Sequence, residues 1–373
     1  MKNERQNPKL GIVLLPGYDD WRGQSVHEHL KLARASESRF LVGLDAKRFG
    51  DGEATVMFKG GEPTVRGKNL VFLADVTNHE SAYQMHGREN RRSPDDHFAD
   101  LKSAINSASG KSNYGTTVVM PYLYRGREDK RAQRGGLDCA RGLQELERLG
   151  VEHFITVDAH APTVQNAIPN RSFDNILPTY PMVKAILDDE YQEFNDKNMM
   201  TIGPDVGSAG RTSTYASILG SPMGLFHKER DFETFENGKH PVKNHVYTGS
   251  SVEGKTSIIF DDIIASGGTI IETAARLKEM GAKSVLVSVT HGLFNGGFKG
   301  FDKAVEDEII KRVYVTNSAY IPQEGKNREW LRHVDITEEI AKTISALQSG
   351  QSLTPYVRGN DRFAELLKET RER

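Results

Sequence analysis

Residues Ser257–Ile270 read SIIFDDIIASGGTI. Apolar residues, two adjacent aspartates and a Ser-Gly-Gly-Thr turn follow one another. Adjacent carboxylates repel, and a Gly-Gly pair weakens a helix or a strand. The flanks give both a purpose. Ile258, Ile259 and Phe260 read as a short buried strand. From Ile270 to Met280 the period becomes helical, with Ile271, Ala274, Ala275 and Leu277 on one face and Gly281 as the stop. SVLVSVTHG, Ser284–Gly292, reads as a second buried strand. Together they form a βαβ unit, whose strands run parallel. Asp261 and Asp262 then sit at the carboxyl end of the first strand. The turn opens the helix, where free N–H groups and the positive end of the dipole favour a phosphate. Ser266 and Thr269 add hydroxyl donors. Two carboxylates beside such a cradle suit vicinal hydroxyls or a metal, and a sugar phosphate supplies the hydroxyls. An exposed loop with a helix cap would also accommodate Asp-Asp before a Gly-rich turn. The ordered set of strand, acid pair, small-residue turn and helix favours phosphoribosyl binding.

The rest of the chain fits that unit. At 373 residues, two domains are expected. A net charge of −2 argues against a nucleic-acid or polybasic membrane surface. One cysteine, Cys139, allows no intramolecular disulfide and fits a reducing compartment. No apolar run approaches a membrane span, and MKNERQNPKL lacks a signal core, so a soluble cytoplasmic protein is expected. Strand-like LGIVLLPG, LVFLADV, TTVVMPYLY, HFITVDAH and MMTIGPDVGSAGR occur with helical stretches such as GGLDCARGLQELERLG. This alternation implies an α/β fold with a largely parallel sheet. Residues 78–98 and 225–249 read as long irregular loops, with His79, His86 and His97 solvated. Trp21 and Trp330 read as packing residues. The tail after Val357 reads either as one short charged helix, docked on a neighbour through Phe363, Leu366 and Leu367, or as a frayed end.

Four further constellations lie at predicted strand ends, where ligands bind in open α/β sheets. They are Asp158 and His160 with Gln165; Arg125, Arg127, Asp129, Lys130 and Arg131; Asp205 and Arg211 in PDVGSAGR; and Lys228 with Arg230. The motifs FGDGE (Phe49–Glu53), VRGKNLVF, PYLYRGREDK, DAHAPTVQ, FDN, PDVG, HKERD, FDDIIASGGT and VTN occur in this order. In that order the chain resembles the ribose-phosphate pyrophosphokinase family over roughly residues 40 to 357.

The resemblance implies two tandem phosphoribosyltransferase-type domains, each a mostly parallel sheet flanked by helices. They are expected at 1–180 and 181–350, with a tail at 351–373. It implies magnesium, ATP and ribose 5-phosphate, with transfer of the pyrophosphoryl group to give 5-phosphoribosyl 1-pyrophosphate (PRPP) and AMP. It also implies an active site between the domains, completed by a neighbouring subunit in a homo-oligomer of at least two chains. By position, Asp261 and Asp262 hold the ribose hydroxyls, and Ser266, Gly267, Gly268 and Thr269 hold the 5-phosphate. Arg127 and Asp129 belong to the ATP site, and Phe49, Asp51 and Glu53 reach the adenine of an adjacent subunit. His160 faces the phosphates and magnesium, Asp205 is a second metal contact, and Lys228 and Arg230 close over the transferring group. Glu128, Glu229 and Ala265 depart from the family pattern, and the segment from Asn78 to His97 is longer than usual. The same motifs are shared in part by two other functions: a catalytically silent regulatory relative, and a phosphoribosyltransferase that consumes PRPP.

Overall fold

The computed structural model describes residues 9–36, 38–60, 64–109, 115–131, 135–230, 242–354 and 360–373, without the side chains of 228–230, 242–245, 360 and 361. The chain forms two compact units. The first contains, in chain order, β1 (Lys9–Leu14), α1 (Trp21–Ala33), β2 (Leu44–Arg48), β3 (Ala54–Phe58), β4 (Lys68–Leu73), β5 (Ala82–Met85), β6 (Arg88–Arg91), α2 (Pro94–Ser109), β7 (Gly115–Val119), α3 (Asp138–Arg148), β8 (His153–Val157) and β9 (Ser172–Ile176). Its sheet has the order β1-β4-β7-β8-β9, with every neighbouring pair parallel.

Side chains alternate between the faces of this sheet. Val13, Leu70, Phe72, Val118 and Phe154 pack with Phe98 and Leu101 of α2 and Leu143 and Leu146 of α3. Ile12, Val71, Leu73, Val119 and Ile155 pack with Val26 and Leu30 of α1. That second face also takes Ile340 and Ile344 of α9 (Thr337–Gln348). A parallel sheet covered on both sides needs apolar residues at consecutive positions, which explains runs such as LVFL.

The sequence places 181–350 in one domain, but the chain returns to the first unit at Asn317–Tyr320 and Asp335–Arg358. Polar contacts hold the return. Asn317 Nδ2 donates to Asp335 Oδ1 at 2.8 Å, and the Tyr320 N–H donates to Thr77 Oγ1 at 2.7 Å. The Ser25 and Thr337 hydroxyls of α1 and α9 are 2.7 Å apart.

The second unit contains α4 (Thr179–Asn195), β10 (Met199–Gly203), α5 (Ala209–Leu219), β11 (Met223–Arg230), β12 (Val242–Gly249), β13 (Thr256–Ile264), α6 (Gly268–Glu279), β14 (Ser284–Gly292), α7 (Lys299–Glu306), β15 (Arg312–Thr316), α8 (Gln323–Lys326), β16 (Leu331–Val334) and a last helix, α10 (Asn360–Arg371). Its sheet runs β12-β11-β10-β13-β14-β15-β16, with only β12 antiparallel to its neighbour. Ile259, Val287 and Val313 face α6 and α7, while Ile258, Phe260, Leu286 and Tyr314 face α4 and α5. The expected βαβ unit is therefore β13–α6–β14.

Several local expectations are corrected. Residues 78–98 are not one loop: β5 and β6 form an antiparallel hairpin, and α2 starts at Pro94. His86 and Gly87 take φ of +50° and +73° at its tip, as a tight two-residue turn requires. His97 is buried, with Nε2 2.8 Å from the Asn78 carbonyl oxygen. Trp21 opens α1 and is 48 % exposed, whereas Trp330 is buried and donates from Nε1 to Asp302 at 2.9 Å. Within 225–249, β11 and β12 pair as antiparallel arms, and residues 231–241 lie outside the described residues. The tail forms α10 and docks on its own chain, with Phe363 and Leu366 buried in the cluster that contains Met182 and Val183 of α4.

Candidate active site

Strand β13 carries the acid pair to the carboxyl edge of the second sheet. Asp262 is buried and Asp261 half-buried, and the Asp262 N–H donates to Asp261 Oδ1 at 2.9 Å. Burial first, and then the charge of Asp262, pushes the Asp261 carboxyl up to about 7; Asp205 adds to the same effect. Asp205 comes from the turn after β10, where its Oδ1 accepts the Ser208 N–H at 3.0 Å. Two carboxylates, one beside it on the same strand and one from the neighbouring strand end, thus repel Asp261. Such a site favours hydroxyl donors or a cation.

The pair makes a pH-dependent cost. The folded-state pKa of Asp261 lies above its ordinary 3.8, so its contribution to stability is present below that value and is lost as pH rises through about 7. The melting temperature of the ligand-free wild type is expected to fall across this window relative to that of Asp261→Asn. Thermal unfolding of both proteins at several pH values checks this; parallel profiles would remove the repulsion account.

The turn after β13 is built by contacts remote in sequence. Gly267 has φ +87°, and a Cβ there would stand 2.3 Å from the Phe301 ring. The Asn295 N–H donates to Ala265 O at 2.8 Å, and the Leu293 N–H to Ile264 O at 2.9 Å. The segment after β14 therefore braces the turn from one side and α7 from below. Ser266, Gly268 and Thr269 are exposed at the start of α6. The N–H groups of a first helical turn lack intrahelical acceptors, so this surface can receive a phosphate.

Strand β11 pairs with β10 up to Gly203 opposite Leu225, so the backbone at Lys228 and Arg230 runs beyond that carboxyl edge. The side chains of both residues lie outside those described.

The first unit assembles its own strand-end residues. Asp158 is buried with φ +45°, and His160 two residues later is exposed. Asn175 of β9 accepts the Ala159 N–H through Oδ1 at 2.9 Å, which fixes the turn between them. After β7, Arg127 is exposed and Asp129 half-buried. Burial, with Asp129 adding, pushes the Cys139 thiol up to about 12, so this cysteine is an inert core residue. Arg125 is engaged structurally: its guanidinium pairs with Asp138 and, at 3.3 Å, with Asp95, which also accepts from the Tyr124 hydroxyl at 2.6 Å. Phe49 is 57 % exposed in the turn between β2 and β3, with Asp51 and Glu53 exposed beside it. Asn295 and Phe301 support these residues without belonging to the predicted set, and Asn175 lies in the FDN motif without a predicted role; each is distant in sequence from the residue it holds.

Two family models match this chain in tandem. Residues 24–150 match the family described as the N-terminal domain of ribose phosphate pyrophosphokinase, and residues 172–318 match the phosphoribosyl transferase domain. The ribose-phosphate pyrophosphokinase of Staphylococcus epidermidis is 27 % identical over 358 residues, covering 95 % of this chain and 98 % of the relative. That of Staphylococcus saprophyticus is 26 % identical over 355 residues, covering 95 % and 98 %. The crystal structure of phosphoribosylpyrophosphate synthetase from Mycobacterium smegmatis superposes with a TM-score of 0.72 at 21 % identity, covering 92 % of this chain and 99 % of that one, which shows the shared fold. The two matched domains in tandem, with relatives aligned over nearly their whole length, lead to one assignment: the chain belongs to the ribose-phosphate pyrophosphokinase family.

Proposed function

We propose that the protein is an active, magnesium-dependent ribose-phosphate pyrophosphokinase, converting ATP and ribose 5-phosphate to PRPP and AMP. The observation that carries this reading is the acid pair Asp261–Asp262 beside the glycine turn at the start of α6, with the Asp261 carboxyl raised by burial and then by its neighbour. Vicinal ribose hydroxyls donate to the two carboxylates while the 5-phosphate meets the N–H groups of Gly267, Gly268 and Thr269 and the Ser266 hydroxyl. That orientation leaves the 1-hydroxyl free. Its oxygen attacks the β-phosphorus of ATP, the bond to the α-phosphate oxygen breaks, and AMP departs.

Transfer of this kind relies on alignment and on cations around the equatorial oxygens. Arg127 and Asp129 hold the nucleotide, His160 faces its phosphates, and Lys228 and Arg230 cover the transferring group. Phe49, Asp51 and Glu53 serve the adenine of an adjacent subunit, which requires at least a dimer.

Among the described residues no three histidine, cysteine or carboxylate side chains form a metal-ligand set. The repelling carboxylates at Asp261 still fit a hard cation nearby, and magnesium commonly keeps waters and substrate oxygens as most of its ligands. His160 and Asp205 are assigned as its side-chain contacts. When bound, magnesium neutralises phosphate charge. Among the described residues no helix is long and apolar enough to cross a membrane. We place the protein in the cytoplasm, with no nucleic-acid partner.

Phosphorus-31 NMR of protein with magnesium, ATP and ribose 5-phosphate is expected to show AMP and PRPP in equal amounts. ADP with a doubly phosphorylated sugar, a ribose bisphosphate, would replace the assignment with an ordinary kinase. No turnover would favour the regulatory relative, and pyrophosphate release from PRPP plus a base the phosphoribosyltransferase.

A further inference from the structure

The hairpin β5–β6 belongs to the segment that exceeds the family pattern, and the proposed reaction gives it no role. It lies against the Phe49–Glu53 turn. The His86 N–H donates to Gly50 O at 2.7 Å. Gly52 has φ +96°, and a Cβ there would meet the Met85 sulfur at 2.6 Å, so the tip of the hairpin closes directly on the turn. Farther back, the Tyr83 ring takes two guanidinium groups, Arg48 at 4.9 Å and Arg92 at 5.6 Å from its centroid. Both arginines donate to the buried Asp100, at 2.8 Å and 3.1 Å. Arg48 also donates to Gly52 O at 3.3 Å, so one side chain touches both the turn and the aromatic residue of the hairpin.

The turn has few restraints of its own. The Phe49 N–H donates to Glu53 O at 2.8 Å, Gly52 N–H to Phe49 O at 2.9 Å, and Glu53 N–H to Asp51 Oδ1 at 3.0 Å. Phe49 points a large apolar ring at solvent, so no core packing fixes it. A recognition loop ordered before binding loses less entropy when its ligand arrives.

We propose that the hairpin Ala82–Arg91 is a positioning clamp for the turn that meets the base of an adenine nucleotide, with Tyr83 and Met85 as its positioning residues. The proposal rests on reading Phe49–Glu53 as the nucleotide contact. The clamp acts on the turn, and so on ATP, while leaving the sugar-phosphate cradle and the transfer step unchanged.

Amide hydrogen exchange and calorimetric ATP binding on the full chain test it, with turnover measured in parallel. Tyr83→Ala and Met85→Ala are expected to speed exchange at Gly52 and Glu53. They should weaken ATP binding about fivefold, which for Tyr83→Ala is the scale of one or two cation–π contacts. The KM for ribose 5-phosphate and kcat should hold. Tyr83→Phe keeps the ring and should behave as wild type. Met85→Ala alone decides the matter if Tyr83→Ala fails to fold. Unchanged exchange in the folded variants overturns the clamp, and faster exchange with unchanged ATP affinity overturns its role in nucleotide binding. Neither readout needs turnover, so a wild type that makes no AMP would refute the proposed reaction while leaving the clamp to be judged on its own.

Discussion

Gly267→Ala is expected to raise the KM for ribose 5-phosphate at least ~30-fold while ATP binding is kept. Two costs meet at this position. A side chain at φ +87° is strained, by about 1–2 kcal/mol. The added methyl group would also stand 2.3 Å from the Phe301 ring, and overpacking of that kind costs about 1–3 kcal/mol. The ring is buried among Phe294, Phe298 and Trp330, so it has little freedom to yield. The turn must move instead, and with it the N–H groups that face the phosphate. A loss of about 2 kcal/mol in binding is roughly 30-fold. Gly268→Ala is the control: its φ is not in the left-handed region, and its nearest neighbour is the Ser266 hydroxyl at 3.9 Å, so the fold should accept it. Calorimetric titration of ribose 5-phosphate into both variants, with thermal melts, separates the cases. Wild-type affinity in Gly267→Ala would mean that the turn does not hold the phosphate.

Lys228→Ala is expected to lower kcat by ~100-fold or more with little change in ATP affinity. The backbone of β11 carries this residue past the carboxyl edge of the sheet that bears Asp261 and Asp262. A cation that meets the phosphoryl group chiefly in the transition state contributes to kcat rather than to KM. Removal of one preorganised donor of that kind costs about 2.7–4 kcal/mol of barrier. Lys228→Arg should recover little, because a planar fork does not occupy the place of a compact ammonium. Single-turnover measurements with saturating ATP give the comparison; normal turnover in Lys228→Ala would remove the residue from the catalytic set.

Much of this protein was legible in its sequence because the relevant signals are local. The change of period between Phe260 and Ile270, the acid pair and the Gly-Gly turn lie within one short stretch, and β13, α6 and β14 form where that stretch places them. Runs such as LVFL and VLVSV announced sheets covered on both faces, since alternation disappears when neither face meets water. Other features depended on partners that no local pattern names. Apolar periodicity shows that α9 has a face to bury, but only the fold selects α1 and the first sheet as its partner. A polar, weakly patterned stretch conceals the hairpin β5–β6 and the burial of His97, because both depend on what lies opposite: the Phe49–Glu53 turn and the Asn78 carbonyl. The same holds at the candidate site. The sequence supplied Asp261, Asp262 and the glycines; tertiary structure decided that Asp205 lies close enough to raise Asp261, that Phe301 forms the floor beneath Gly267, and that Asn175 holds the turn before His160. The physical reason is range: torsional preference and side-chain period act within a few residues, whereas charge repulsion, steric exclusion and hydrogen bonding act between any atoms that the chain's path brings together.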